Sequence, residues 1–68
     1  MMTCFNFESG GKRKSVNKED VAFMFPSIVE EGEVFITLKT GKQFRAKHVE
    51  EFDFDSGYKL IAARTLNL

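Results

Sequence analysis

One cysteine and one histidine, Cys4 and His48, occur in this 68-residue chain. They are the only Cys–His pair available for nucleophilic catalysis, and such a pair needs hydrogen-bond reach and a surrounding cleft. Cys4 lies near the N-terminus in a strand-like stretch, where a cysteine usually acts as a small apolar residue. His48 falls in phase with Phe44 and Ala46, which predicts a strand-end position at the rim of the core. Asp53-Phe54-Asp55-Ser56-Gly57 has the opening of a calcium loop, but the position where such a loop needs its bidentate glutamate is Arg64. Asp53 and Asp55 therefore read as strand-edge and turn residues. Glu30, Glu31 and Glu33 read as a solvated acidic turn, with an acidic contact for a basic partner as the alternative. Gly10-Gly11-Lys12 lacks the spacing of a phosphate loop. Lys12, Arg13 and Lys14 beside it could still offer charge to a phosphate, the alternative being a flexible charged hairpin tip. No catalytic residue, metal site or cofactor is expected, and the chain reads as a non-enzyme.

The more informative residues lie between Val34 and Val49. Phe35, Thr37, Gln43, Arg45 and Lys47 share one parity of two facing strand-like segments, and Lys39 and Lys42 flank the connection. An aromatic ring with cations on a sheet can stack bases and pair phosphates, as in many single-strand binders. The same residues suit a protein contact, and Phe35 could also pack beneath the C-terminal segment. Composition weighs against nucleic acid: 10 Lys+Arg balance 10 Asp+Glu and the pI is about 6.6, whereas dedicated nucleic-acid binders are usually basic.

Those side chains need a scaffold, and length limits it to one domain spanning residues 1–68. With 43% hydrophobic and 29% charged residues the chain is globular. Its longest apolar run, Val21 to Phe25, is far short of the roughly 20 residues that cross a bilayer. No charged and apolar leader follows Met1-Met2, so a cytoplasmic protein without membrane contact is expected. One cysteine excludes an internal disulfide framework. A chain this small buries only about 60% of its unfolded surface. Eight phenylalanines must therefore supply much of the core, and a homo-oligomer would add further burial.

Glycine-rich turns alternate with short β-branched and aromatic segments, which favours strands. Phe5 and Phe7 alternate with polar residues, and Gly10-Gly11 suits a two-residue hairpin turn that sets Phe5 opposite Val16. Asn17-Lys18-Glu19-Asp20 reads as a turn or one helical turn capped by Asn17. Val21, Phe23 and Phe25 alternate with Ala22 and Met24, and Pro26 ends that strand. For the next hairpin, a two-residue loop would pair Ile36 with Arg45 and mix core with charge. A three-residue loop, Lys39-Thr40-Gly41, pairs Ile36 with Phe44 and Val34 with Ala46. Register follows the hydrophobic face, so the longer loop is predicted, with Val34, Ile36, Leu38, Phe44 and Ala46 inward. Val49-Glu50-Glu51-Phe52 could begin a short helix, while Phe52 and Phe54 carry strand alternation. Tyr58 to Leu66 fits a strand better than a helix, since so short a helix is marginal. The expected fold is mainly β: a curved antiparallel sheet or small barrel of five or six strands, with a short helical turn near Asn17 or Val49.

Phe5-Asn6-Phe7-Glu8-Ser9-Gly10-Gly11, Val16 to Phe23, the hairpin Val34 to Phe44 and Val49-Glu50-Glu51-Phe52 together resemble the LytTR-type DNA-binding domain and its short flagellar relatives. The segment Val34 to Arg45, followed by Phe52-Asp53 and Tyr58-Lys59-Leu60-Ile61, is similar to the first half of an Sm-like RNA-binding fold. Both resemblances imply small, strongly curved β structure.

Two functions follow as expectations. The first is a non-catalytic protein that docks on a larger protein as regulator or inhibitor, a type common among small phage and mobile-element proteins. The second is a nucleic-acid-binding β module that uses the hairpin face.

Overall fold

Gly10 and Gly11 both adopt positive φ, 61° and 76°, a backbone region that β-carbons resist. In a computed structural model describing Met1–Leu68, this turn folds β1 (Met2–Ser9) onto β2 (Lys12–Asn17), with Phe5 opposite Val16 as the alternation predicts. A 3-10 turn (Lys18–Asp20) leads to β3 (Val21–Pro26), and a loop to β4 (Val34–Leu38). Lys39-Thr40-Gly41 then forms a three-residue loop between Leu38 and Lys42, after which come β5 (Gln43–Phe54) and β6 (Leu60–Thr65). Gly41 has φ 95°, its amide donates to the Leu38 carbonyl at 2.9 Å, and the Leu38 amide donates to the Lys42 carbonyl at 2.8 Å. Ile36 consequently faces Phe44 and Val34 faces Ala46.

The six strands form one curved antiparallel sheet in the order β2-β1-β5-β4-β3, with β6 also paired to β5. β5 is the axis. β1 runs along one edge of it, while β4 pairs with Gln43–Ala46 and β6 with Glu50–Phe54 on the other. It can serve both halves because it is bulged at His48. Glu8 pairs with Lys47 and Asn6 with Glu50, so β5 carries one residue more than β1 across that interval. His48 takes up the excess in the left-handed region at φ 53°. Parity inverts there. Ala46 is buried before the bulge, and Val49, Glu51 and Asp53 are buried after it.

Phe5, Phe7, Val34, Ile36, Ala46 and Val49 make the core, and Val16, Val21, Met24, Leu38, Phe44 and Leu66 pack around it. Phe7 and Ile36 are completely buried, and the Phe7 ring lies 5.3 Å from that of Phe44.

Three local readings change. His48 is not at the core rim: the bulge turns its side chain out, 77% exposed. Asn17 makes no side-chain cap, and its Oδ1 instead accepts from Cys4 Sγ at 3.5 Å. Val21 does not share a face with Phe23 and Phe25. A register shift after Val21 leaves Val21 and Met24 against the core and Phe23 and Phe25 outside. Of the two alternatives open at Val49-Glu50-Glu51-Phe52 the structure has strand, and the strand expected over Tyr58 to Leu66 forms at Leu60–Thr65. No helix is long and apolar enough to cross a membrane.

Phe7→Ala should lower the unfolding free energy by about 3–5 kcal/mol in urea titrations, much of a small domain's total. His48→Gly should be more stable than His48→Ala by about 1–2 kcal/mol, because glycine removes the left-handed penalty. Equal stability of these two variants would show that the bulge carries no such strain.

Candidate binding surface

The outer face of β3, β4 and β5 gathers aromatic rings across adjacent strands. Register sets Phe25 beside Phe35 and Phe35 beside Arg45, with Phe23, Thr37 and Gln43 in the next row. Phe23 and Phe25 stack at 5.7 Å between centroids, and Phe25 and Phe35 meet at 5.4 Å. The Arg45 guanidinium lies 5.9 Å from the Phe35 centroid, within cation–π range. Phe23 and Phe25 remain 53% and 44% exposed. The ladder is a sheet surface rather than a second core.

Polar contacts fix its rim. Gln43 Nε2 donates to Thr37 Oγ1 at 3.0 Å, and Arg45 Nε donates to Glu33 Oε1 at 3.1 Å. Lys47 lies 4.0 Å from Glu30. Two of the acidic-turn residues therefore balance the cations of the face. Beyond Pro26 the chain runs into a pinned turn. Ser27 Oγ accepts from the Val29 and Glu30 amides at 3.2 and 3.1 Å, and the Ser27 amide donates to the Glu33 carbonyl at 2.8 Å. This turn holds Ile28 and Val29 in solvent, Ile28 completely exposed.

Of the seven candidate residues, Phe35, Thr37, Gln43, Arg45 and Lys47 line this side of the hairpin. Lys39 is exposed at the tip, with its backbone amide bonded to the Asp20 carbonyl at 2.9 Å. Lys42 reaches instead to the Phe44 ring, 5.2 Å from its centroid, where Lys14 sits at the same distance. Lys12 and Arg13 do not join it. Lys12 is exposed, and Arg13 is held by Glu50 at 3.0 Å and the His48 carbonyl at 3.4 Å. Phe23 and Phe25 were missed as surface residues. Only the bulge after Val21 reveals their side, and no residue in that stretch signals it.

A second polar group sits on the inner face beyond Val49. Glu51 and Asp53 are buried there. Arg64 on β6 donates to both, to Asp53 at 3.0 Å, while Thr3 Oγ1 donates to Asp53 at 2.7 Å and Lys18 Nζ to Glu51 at 3.0 Å. The Lys18 bond, joined by Arg64, holds the Glu51 carboxyl below its usual range against the opposing effect of burial. Thr3, with Arg64, does the same for Asp53. The two carboxylates raise the Arg64 guanidinium in turn, Glu51 most. All four carboxylate oxygens are bonded, so this is a staple joining β1, β5, β6 and the 3-10 turn. Asp55 is also engaged, its Oδ1 accepting from the Gly57 and Lys59 amides at 2.8 and 3.0 Å. Cys4 lies beside Asn17, and His48 lies 3.9 Å from Glu8.

Comparison with known protein families, curated proteins and solved structures finds no match to this chain.

The staple makes stability depend on acid. Both carboxyls have folded pKa values below their unfolded ones, so their contribution is present above the unfolded carboxyl range and is lost as pH falls through the folded values. Circular dichroism should show acid unfolding, and Arg64→Gln should move its midpoint to higher pH. An unchanged midpoint would remove Arg64 from the staple.

Proposed function

We propose that this chain is a small non-catalytic binding protein that docks on a larger protein through the outer face of β3, β4 and β5, regulating or inhibiting that partner. The observation that carries this reading is the exposed Phe23–Phe25–Phe35 ladder, followed in the chain by the exposed Ile28 and Val29 of the next turn. An ordered, hydrogen-bonded turn holds these two aliphatic side chains in water, where they gain nothing. Exposed apolar groups of this kind mark contact surfaces, and aromatic residues with arginine are the usual anchors of protein interfaces. The rim suits an interface because Arg45 and Lys47 are matched by Glu33 and Glu30. It offers mixed polar contacts rather than a uniform field. A cytoplasmic setting agrees with the single unpaired thiol of Cys4.

The second reading, a single-stranded nucleic-acid binder, has one observation in its favour: Arg45 over Phe35 beside two open rings, an arrangement on which bases stack. It does not employ Ile28 and Val29, and it must overcome a neutral net charge. A homo-oligomer joined through the same face is a third outcome of the test below.

A photo-crosslinking residue in place of Ile28 should trap the partner in cells, and the purified pair then gives affinities. Phe25→Ala should weaken binding about tenfold or more, in the range of an interface anchor, and leave the thermal midpoint nearly unchanged. Phe44→Ala should destabilise the fold, which makes it the internal control. Arg45→Ala with Lys47→Ala should change stability little. Steep loss of oligothymidylate binding with added salt would favour nucleic acid. Concentration-dependent self-association lost in Phe25→Ala would favour a second copy. If Phe25→Ala or Phe35→Ala unfolds the chain as severely as Phe44→Ala, these rings are core and the surface does not exist.

A further inference from the structure

The notch between the two hairpin tips has a chemistry of its own. β1 parts from β5 after the Glu8–Lys47 pair, so the β1-side edge of Gln43–Ala46 carries no neighbouring strand. The gap left there measures about 600 Å³, and Phe44 is its one hydrophobic lining residue. Lys14 enters it from β2 and Lys42 from the turn before β5. Both ammonium groups lie 5.2 Å from the centroid of the Phe44 ring, so they stand within twice that distance of each other. Neither forms an ion pair, whereas Arg45 and Lys47 in the same notch are matched by Glu33 and Glu30. Two like charges are thus gathered around one ring with no carboxylate in ion-pair contact, on flexible stems that can close on a common ligand. The Gly10-Gly11 turn, outside the β1–β2 ladder, forms part of the same wall.

We infer that this notch binds the phosphate monoester of a small molecule, with Lys14 and Lys42 gripping the phosphate. Charge selects the monoester. It is a dianion above a second pKa of about 6 and matches two unpaired ammonium groups, while a phosphodiester carries a single charge. Glu8 and Glu33 also line the notch, and Glu33 is already matched by Arg45. The volume lies in the range of about 300–1,000 Å³ typical of small-ligand sites. With the Phe44 ring already attended by the two ammonium groups, recognition centres on the phosphate. The inference is independent of the docking face, from which Lys14 is separate.

Amide NMR titrations with inorganic phosphate, phenyl phosphate and dimethyl phosphate test it. The two dianionic probes should produce saturable shifts at Gly10, Gly11, Lys14 and Lys42, and dimethyl phosphate should not. Tenfold tighter binding of phenyl phosphate than of phosphate would identify an organic monoester as the ligand; equal binding would identify the free ion, which shares the chemistry. Lys14→Gln with Lys42→Gln should weaken binding at least tenfold at an unchanged thermal midpoint. Phe25→Ala should leave it intact, which separates this site from the docking reading. Equal shifts with dimethyl phosphate, wild-type binding by the double lysine variant, tighter binding of oligothymidylate at these amides, or no shift at millimolar phosphate would each overturn the inference.

Discussion

A single left-handed residue in β5 governs the arrangement of everything else. A strand that alternates without interruption presents one set of side chains to one face along its whole length. β5 instead changes parity at His48. Ala46 and Val49 can both be buried although they lie three positions apart, an odd offset. That change lets one strand complete two differently directed halves of a curved sheet, with β4 beside its start and β6 beside its end. Without the bulge, either Val49 would face water or Phe44 and Ala46 would leave Ile36.

The two halves solve different problems. Around Ile36 and Phe7 there are enough apolar groups to close a core. Beyond Val49 there are not, and the inner face continues with Glu51 and Asp53. Buried carboxylates are costly unless fully bonded, and each here has both a cation and a second donor or cation. The staple thus ends the core where hydrophobic residues run out. It also ties down β6, whose apolar residues Leu60 and Ile61 are largely exposed.

Both hairpin registers were legible from alternation and turn chemistry. Gly10-Gly11 admits a two-residue turn, and only a three-residue loop keeps Ile36 opposite Phe44. The strand count and the outward side of Phe35, Thr37, Gln43, Arg45 and Lys47 followed from the same logic. What escaped notice were the register shifts, two of which matter for the surface. Neither the step after Val21 nor His48 involves glycine, and alternation read straight through them. The first concealed the outward turn of Phe23 and Phe25, hence most of the aromatic ladder. The second displaced His48 from the core rim. The convergence of Lys14 and Lys42 on Phe44 was equally invisible, because it depends on two hairpin tips lying side by side. Arg64 could be read as the failure of a calcium loop, but not as the partner of Asp53 and Glu51 across a strand pair.

β3 carries two of the three ladder rings yet is hydrogen-bonded into the sheet only through β4. Its other edge is open, a bulge interrupts its pairing, and its end is a proline that donates no bond. Local opening free energies follow such differences in support, so this strand is the element most readily detached while β1, β5 and β6 stay together. Recognition through the ladder would then be coupled to the order of a single strand. A bound partner would slow hydrogen exchange in β3 well before it altered the global unfolding of the chain.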